Sequence, residues 1–105
     1  MNEENAKAQM RKGVLELCVL RIVRSKEVYT SDISDRLKSA ELLVVEGTLY
    51  PLLTRMKNAG WLSYRWEESK SGPPRKYYQI TPAGEAFLAQ LEREWTAFTQ
   101  AVDTL

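Results

Sequence analysis

The chain has 105 residues, with 15 Lys+Arg against 14 Asp+Glu, no His, one Cys and three Trp. At roughly 100–200 residues per domain it is one domain, and 44% hydrophobic with 28% charged residues is an ordinary globular composition, not that of a disordered segment. Without His the chain lacks the commonest general base and metal ligand, and a lone Cys can form neither an internal disulfide nor a Cys–His pair; this argues against hydrolytic and metal-dependent enzymes, and no metal or cofactor is expected.

No apolar run nears membrane-spanning length and no signal-peptide layout is visible, so a cytoplasmic location is expected and a membrane partner is not. Charge is unevenly spread. Residues 1–53 carry 8 basic and 8 acidic side chains, residues 54–76 carry 6 against 2, and residues 77–105 carry 1 against 4. A basic middle beside an acidic tail suits a local anion-binding face.

Residues 5–24 read as a first helix with Met10, Val14, Leu17 and Leu20 as its inward stripe. Gly13 costs about 1 kcal/mol against Ala in a helix interior, so the helix is expected to start or bend there. Positions 14–23 leave only Glu16 and Arg21 polar, which requires burial on more than one face. Ser25–Tyr29 breaks the pattern. Thr30 is a suitable N-cap, Asp32 favours a helix start, and Ile33 and Leu37 supply the stripe of a second helix ending near Ala40. A third helix lies within residues 46–59 with Leu49, Leu52, Leu53 and Met56 inward and Gly60 at the C′ position. Pro51 is tolerated if that helix begins near Thr48, where first-turn N–H groups have no intrahelical partner.

After Gly60 the period changes. Trp61–Ser69 and Arg75–Thr81 read as a two-stranded antiparallel hairpin whose loop, residues 70–74, is too long for a tight two-residue turn. Thr81 and Pro82 then start a last helix as N-cap and N1. Its apolar positions Leu88, Leu91, Trp95, Phe98, Val102 and Leu105 keep alternating spacings of three and four, a heptad seam. Such a seam packs on its own domain or on a second copy; it runs beyond what three short helices and a hairpin can cover, which favours a homodimer. The fold class expected is mainly α with a small β-hairpin, a winged helix-turn-helix over residues 1–80 plus a C-terminal dimerisation helix over residues 81–105.

Within that frame Thr48, Tyr50 and Arg55 mark the third helix as a recognition helix, since hydroxyls and guanidinium bind phosphates and base edges; the same residues suit an ordinary polar surface. Gly72-Pro73-Pro74-Arg75-Lys76 reads as a wing tip, with Pro73 stiffening it and Arg75 and Lys76 on the phosphate backbone, or as a plain turn beside solvated charges. Trp61, Tyr64, Trp66, Tyr77 and Tyr78 read as strand core and cross-strand pairs rather than a platform for single strands. Cys18 reads as a small hydrophobe. Trp95 is either core or, with its copy across a dimer axis, one wall of a site for a planar ligand.

Gly47-Thr48-Leu49-Tyr50-Pro51-Leu52-Leu53, Ala59-Gly60-Trp61-Leu62, Gly72-Pro73-Pro74-Arg75-Lys76-Tyr77-Tyr78 and Thr81-Pro82-Ala83-Gly84, in this order and spacing, resemble the PadR family of bacterial transcriptional regulators. The resemblance runs from about residue 10 to residue 98. The single helix after the hairpin is similar to the short-tailed subfamily, which implies a dimer that binds double-stranded operator DNA and often represses. Some members hold flat aromatic drugs between paired tryptophans of the C-terminal helix, and Trp95 occupies the matching place, which implies a small aromatic ligand. Where the family often carries a Gly-Tyr pair before the second helix, this chain reads Tyr29-Thr30-Ser31-Asp32-Ile33, so the DNA contact implied there falls to Ser31 with a shorter reach. The alternative function is a small-molecule-binding or protein-interaction module on a winged-helix fold without DNA binding.

Overall fold

The first helix, α1 (Glu3–Val23), begins at Asn2, whose side chain accepts the Asn5 N–H at 2.9 Å, and Glu3 and Glu4 complement its positive end. The computed structural model of the chain describes residues 2–42 and 45–105. Contrary to the expected start or bend, α1 is continuous through Gly13, because burial of Leu15, Leu17, Val19, Leu20, Ile22 and Val23 anchors the helix beyond it. These positions cover more than half the helix circumference, as the apolar run requires. Of the expected stripe, Leu17 and Leu20 are buried and Val14 is half-buried, but Met10 is exposed, since the first turns of α1 project past the core.

The break after α1 contains a short strand, β1 (Val28–Tyr29), that the sequence reading missed. The second helix, α2 (Thr30–Ser39), starts one residue earlier than expected, with Tyr29 rather than Thr30 at the N-cap. Asp32 fixes that start by accepting the Tyr29 backbone N–H at 3.0 Å. A 3-10 turn (Glu46–Thr48) leads into α3 (Leu49–Asn58), which places Pro51 in the first helical turn where it removes no intrahelical bond. At the other end Gly60 adopts φ 87°, and the N–H groups of Gly60 and Trp61 bond the carbonyls of Lys57 and Met56 at 3.0 and 3.1 Å. This Schellman ending turns the chain directly into the sheet.

That sheet has three antiparallel strands in the order β1-β3-β2, not two. The strands β2 (Leu62–Ser69) and β3 (Gly72–Ile80) are joined through Lys70 and Ser71 alone, so the five-residue loop expected is replaced by a tight turn with an irregularity between Glu67 and Ser69. Pro73 and Pro74 fit β3 because β1 pairs only with Tyr77 and Tyr78, leaving the proline end of β3 unpaired on that side. Ile33, Leu37, Leu49, Leu53, Met56, Leu62 and Tyr78 join α1 in one core. Cys18 is half-buried against it, and burial raises its thiol pKa, so it is an apolar filler and not a reactive thiolate.

The last helix, α4 (Pro82–Asp103), starts at Thr81, whose hydroxyl accepts the Gly84 N–H at 2.9 Å and donates to the carbonyls of Gly60 and Trp61. Trp61 stacks on Phe87 with centroids 3.8 Å apart. Leu88 is 5% exposed and belongs to the chain's own core, and Leu91 is half-buried against it. Beyond them the seam emerges: Trp95, Phe98 and Val102 are 41%, 64% and 64% exposed and Leu105 is fully exposed. The radius of gyration, 15.1 Å, exceeds the roughly 13 Å of a compact chain this long, in keeping with a projecting helix.

An ion cluster ties α4 to α1. Arg21 donates through Nε to both Glu92 oxygens at 2.9 and 3.1 Å and through Nη2 to Oε1, and Arg24 Nη1 lies 3.4 Å from Oε2. Hydrogen bonding from Arg21 holds the Glu92 carboxyl below the ordinary carboxylate range. A depressed carboxylate pKa stabilises the fold above the unfolded value of about 4.3 and loses that contribution as pH falls through the folded value. Glu92→Gln should therefore flatten the acid limb of stability against pH and leave the neutral limb parallel to wild type, as read by urea melts across that range. An unchanged acid limb would show that the exposed cluster adds nothing.

Candidate nucleic-acid interface

The turn geometry described above decides what faces the gap between α3 and the hairpin. Burying Leu49, Leu52, Leu53 and Met56 turns Tyr50 and Thr54, one helical turn apart, to the opposite side of α3. In the sheet, Trp66 pairs with Lys76 and Tyr64 with Tyr78, so their side chains share one face. The first turn of α2 brings Thr30 and Ser31 to the same place. The result is an open groove of about 450 Å³ lined by Tyr29, Thr30, Ser31, Tyr50, Thr54, Trp66, Arg75, Lys76 and Tyr78.

Four of the expected DNA residues, Ser31, Tyr50, Arg75 and Lys76, are thus brought together. Three are not. Thr48 lies in the 3-10 turn, on a shallow hollow with Arg11, Leu15 and Leu42. Arg55 reaches the other way and pairs with Glu16 of α1 at 3.2 Å. Pro73 is exposed at the start of β3, outside the groove. The sequence reading missed Thr30, Thr54 and Trp66. For Thr54 the signal was present, a hydroxyl four residues after Tyr50 on the side opposite the leucines; for Trp66 it was not, because its partner depends on the hairpin register.

The electrostatics of the groove follow from which cations are neutralised. Arg65 is held by Glu27 and Glu67 at 3.1 and 3.3 Å, away from the groove. Among the described residues, Lys57, Arg75 and Lys76 form no ion pair. Aromatic rings take that place: the Arg75 guanidinium lies 5.3 Å from the Tyr29 ring centroid and Lys76 Nζ lies 4.6 Å from that of Tyr64. Tyr50 is 57% and Trp66 59% exposed. Exposed rings and hydroxyls beside cations that form no ion pair are the chemistry of a phosphate-backbone contact surface. Among the described residues there is no group of three or more His, Cys, Asp or Glu able to hold a metal ion, and no helix is long and apolar enough to cross a membrane.

A second hollow, of about 110 Å³, lies between α1 and the exposed end of α4. Gly13, Val14, Leu17, Leu91, Glu94, Trp95 and Phe98 are among the residues that line it.

Known proteins resemble the chain over most of its length. The family model described as the transcriptional regulator PadR-like family matches residues 19–90. A solved PadR-like transcription factor from Bacteroides fragilis is 54% identical, over 95% of this chain and 97% of that one, with a TM-score of 0.79. A PadR-like transcriptional regulator from Bacillus cereus is 38% identical over 91% and 94%, with a TM-score of 0.79. A PadR family regulator from Eggerthella lenta is 30% identical over 91% and 84%, with a TM-score of 0.83.

Proposed function

Because the chain belongs to the PadR-like family and is a transcriptional regulator rather than an enzyme, we propose that it is a homodimeric repressor of a pseudo-palindromic operator in double-stranded DNA. The groove between α3 and the β2–β3 wing carries this reading, because it joins hydroxyls of a helix to wing cations that form no ion pair among the described residues. In it α3 enters the major groove, Tyr50 reads or positions there, and Thr48 does so from the helix start. Ser31 adds a contact from α2. Arg75 and Lys76, behind Pro73, bind the backbone, and Arg55 takes a phosphate or base in exchange for Glu16.

Residues 1–80 act as the DNA-binding unit and residues 81–105 as the dimerisation helix, with the seam from Leu91 to Leu105 meeting its copy. Leu88 serves this interface from beneath, by holding α4 to the core. The hollow beside Trp95 supports a second element of the reading, a flat aromatic cation bound between paired tryptophans and attracted by Glu94.

Selection from random DNA should return an inverted repeat whose half-sites are about one helical turn, or a multiple of it, apart. Tyr50→Phe and Thr48→Ala should then weaken the selected duplex by about fivefold, the worth of one hydrogen bond, and a mixed-sequence duplex by less. Equal losses on both duplexes would assign the two hydroxyls to positioning alone. Failure to enrich any site would favour the non-DNA alternative.

A further inference from the structure

Lys76 has unusual neighbours for a surface lysine. It pairs with Trp66 in the β2–β3 register, and its Nζ lies 4.6 Å from the Tyr64 ring centroid and 5.5 Å from the Trp66 ring centroid. The two rings stand edge to face, with centroids 6.0 Å apart and planes at 90°, so the ammonium sits in the angle between them. Lys57 of α3 approaches the same Tyr64 ring, at 6.0 Å.

A ring and a carboxylate hold a cation in different ways. A carboxylate cancels its charge and must be displaced before a phosphate can bind, as Glu16 must be for Arg55. A ring quadrupole attracts the ammonium but leaves the net charge intact, and occupies only one side of it. A lysine on a bare strand would also lose the rotamer freedom of a long side chain on binding, and seating it beforehand reduces that loss. The 59% exposure of Trp66 then has a reason, since an indole buried in the core could not present a cation to the groove.

We propose that Tyr64 and Trp66 are positioning residues that seat the Lys76 ammonium at the groove, with its charge uncompensated, to receive a DNA phosphate. The proposal rests on the DNA-binding reading above and adds to it how the wing presents its cation.

Two measurements test it. In the free protein, the side-chain CH₂ proton resonances of Lys76 should be displaced upfield by the rings, return toward free-lysine values in Trp66→Leu, and stay displaced in Trp66→Phe. With a short mixed-sequence duplex at low salt, Trp66→Leu should weaken binding by about two- to fivefold, Trp66→Phe should restore most of the loss, and Trp66→Leu should have no further effect when Lys76 is already replaced by Met. Losses that multiply in the double variant would overturn the proposal, because Trp66 would then act on DNA directly or through the wing's shape. Undisplaced Lys76 resonances with normal DNA binding would overturn it alone. Displaced resonances in a protein that binds no duplex would overturn the DNA reading and the phosphate role with it.

Discussion

Gly84→Ala is expected to destabilise the fold by about 3 kcal/mol, the upper range of a steric insertion into a packed site. A Cβ at this position would stand 2.0 Å from the Trp61 carbonyl oxygen, 2.9 Å from its carbon and 2.8 Å from Ile80 Cγ1. The clash is with backbone that has little room to move. The Trp61 N–H is bonded to Met56, its carbonyl accepts the Thr81 N–H at 3.1 Å, and its indole lies on Phe87. Relief would need α4 to lift from the end of α3, breaking the Thr81 cap and the Trp61–Phe87 stack together. At fixed protein concentration a thermal melt should drop by about 12–24 °C. A melt within a degree or two of wild type would mean that α4 does not meet Trp61 as closely as described.

Phe98→Glu should abolish self-association while leaving the chain folded. Phe98 is 64% exposed in the single chain, so a carboxylate there costs the monomer little. In a dimer closed through the seam each copy would bury an unpaired charge, a penalty of about 3 kcal/mol or more and hence at least about a hundredfold in the dimer constant. Sedimentation should show a dimer for wild type at micromolar concentration and a folded monomer for the variant. A planar cationic dye that quenches Trp95 in the dimer, with Trp61 and Trp66 changed to Phe to isolate its emission, should no longer do so in Phe98→Glu. A wild-type chain that sediments as a folded monomer would overturn the seam's assignment, and undiminished quenching in the variant would detach the ligand from the dimer axis.

Helix periodicity carried most of the fold. The stripe Leu49, Leu52, Leu53 and Met56, the cap at Thr81 and the C′ glycine at Gly60 each have a local cause visible in the chain, and each stands where that cause puts it. What depended on partners distant in sequence was not legible. β1 consists of Val28 and Tyr29 only and is defined by pairing with Tyr78 and Tyr77, which no short-range pattern announces. Met10 fits the stripe of α1, but a stripe does not say where the core stops. Leu88 and Phe98 look alike in the heptad, and only where the chain's own core ends along α4 decides that one is covered by the chain itself and the other is not.

The site shows the same division. That Tyr50, Arg75 and Lys76 share one surface was readable because helix face and wing tip are local features. Trp66 was not, since its role depends on register: a five-residue loop would set Trp66 opposite Tyr78, whereas the turn at Lys70 and Ser71 sets it opposite Lys76. Arg55 was readable as a cation on α3, but its partner Glu16 lies 39 residues away on α1. Gly84 stood inside a motif visible in the sequence, yet the reason only glycine fits there is a contact with the Trp61 backbone.

The central claim, that the α3–wing groove is a DNA surface, is tested most directly by the salt dependence of duplex binding. For wild type, log K should fall linearly with log of salt concentration, with a slope of about −0.9 per neutralised phosphate. Arg75→Gln and Lys76→Gln should each reduce the steepness by about 0.9 and weaken selected and mixed-sequence duplexes alike. A line of unchanged slope in both variants would place the DNA elsewhere on the molecule, and a wild type that binds no duplex at low salt would contradict the account outright.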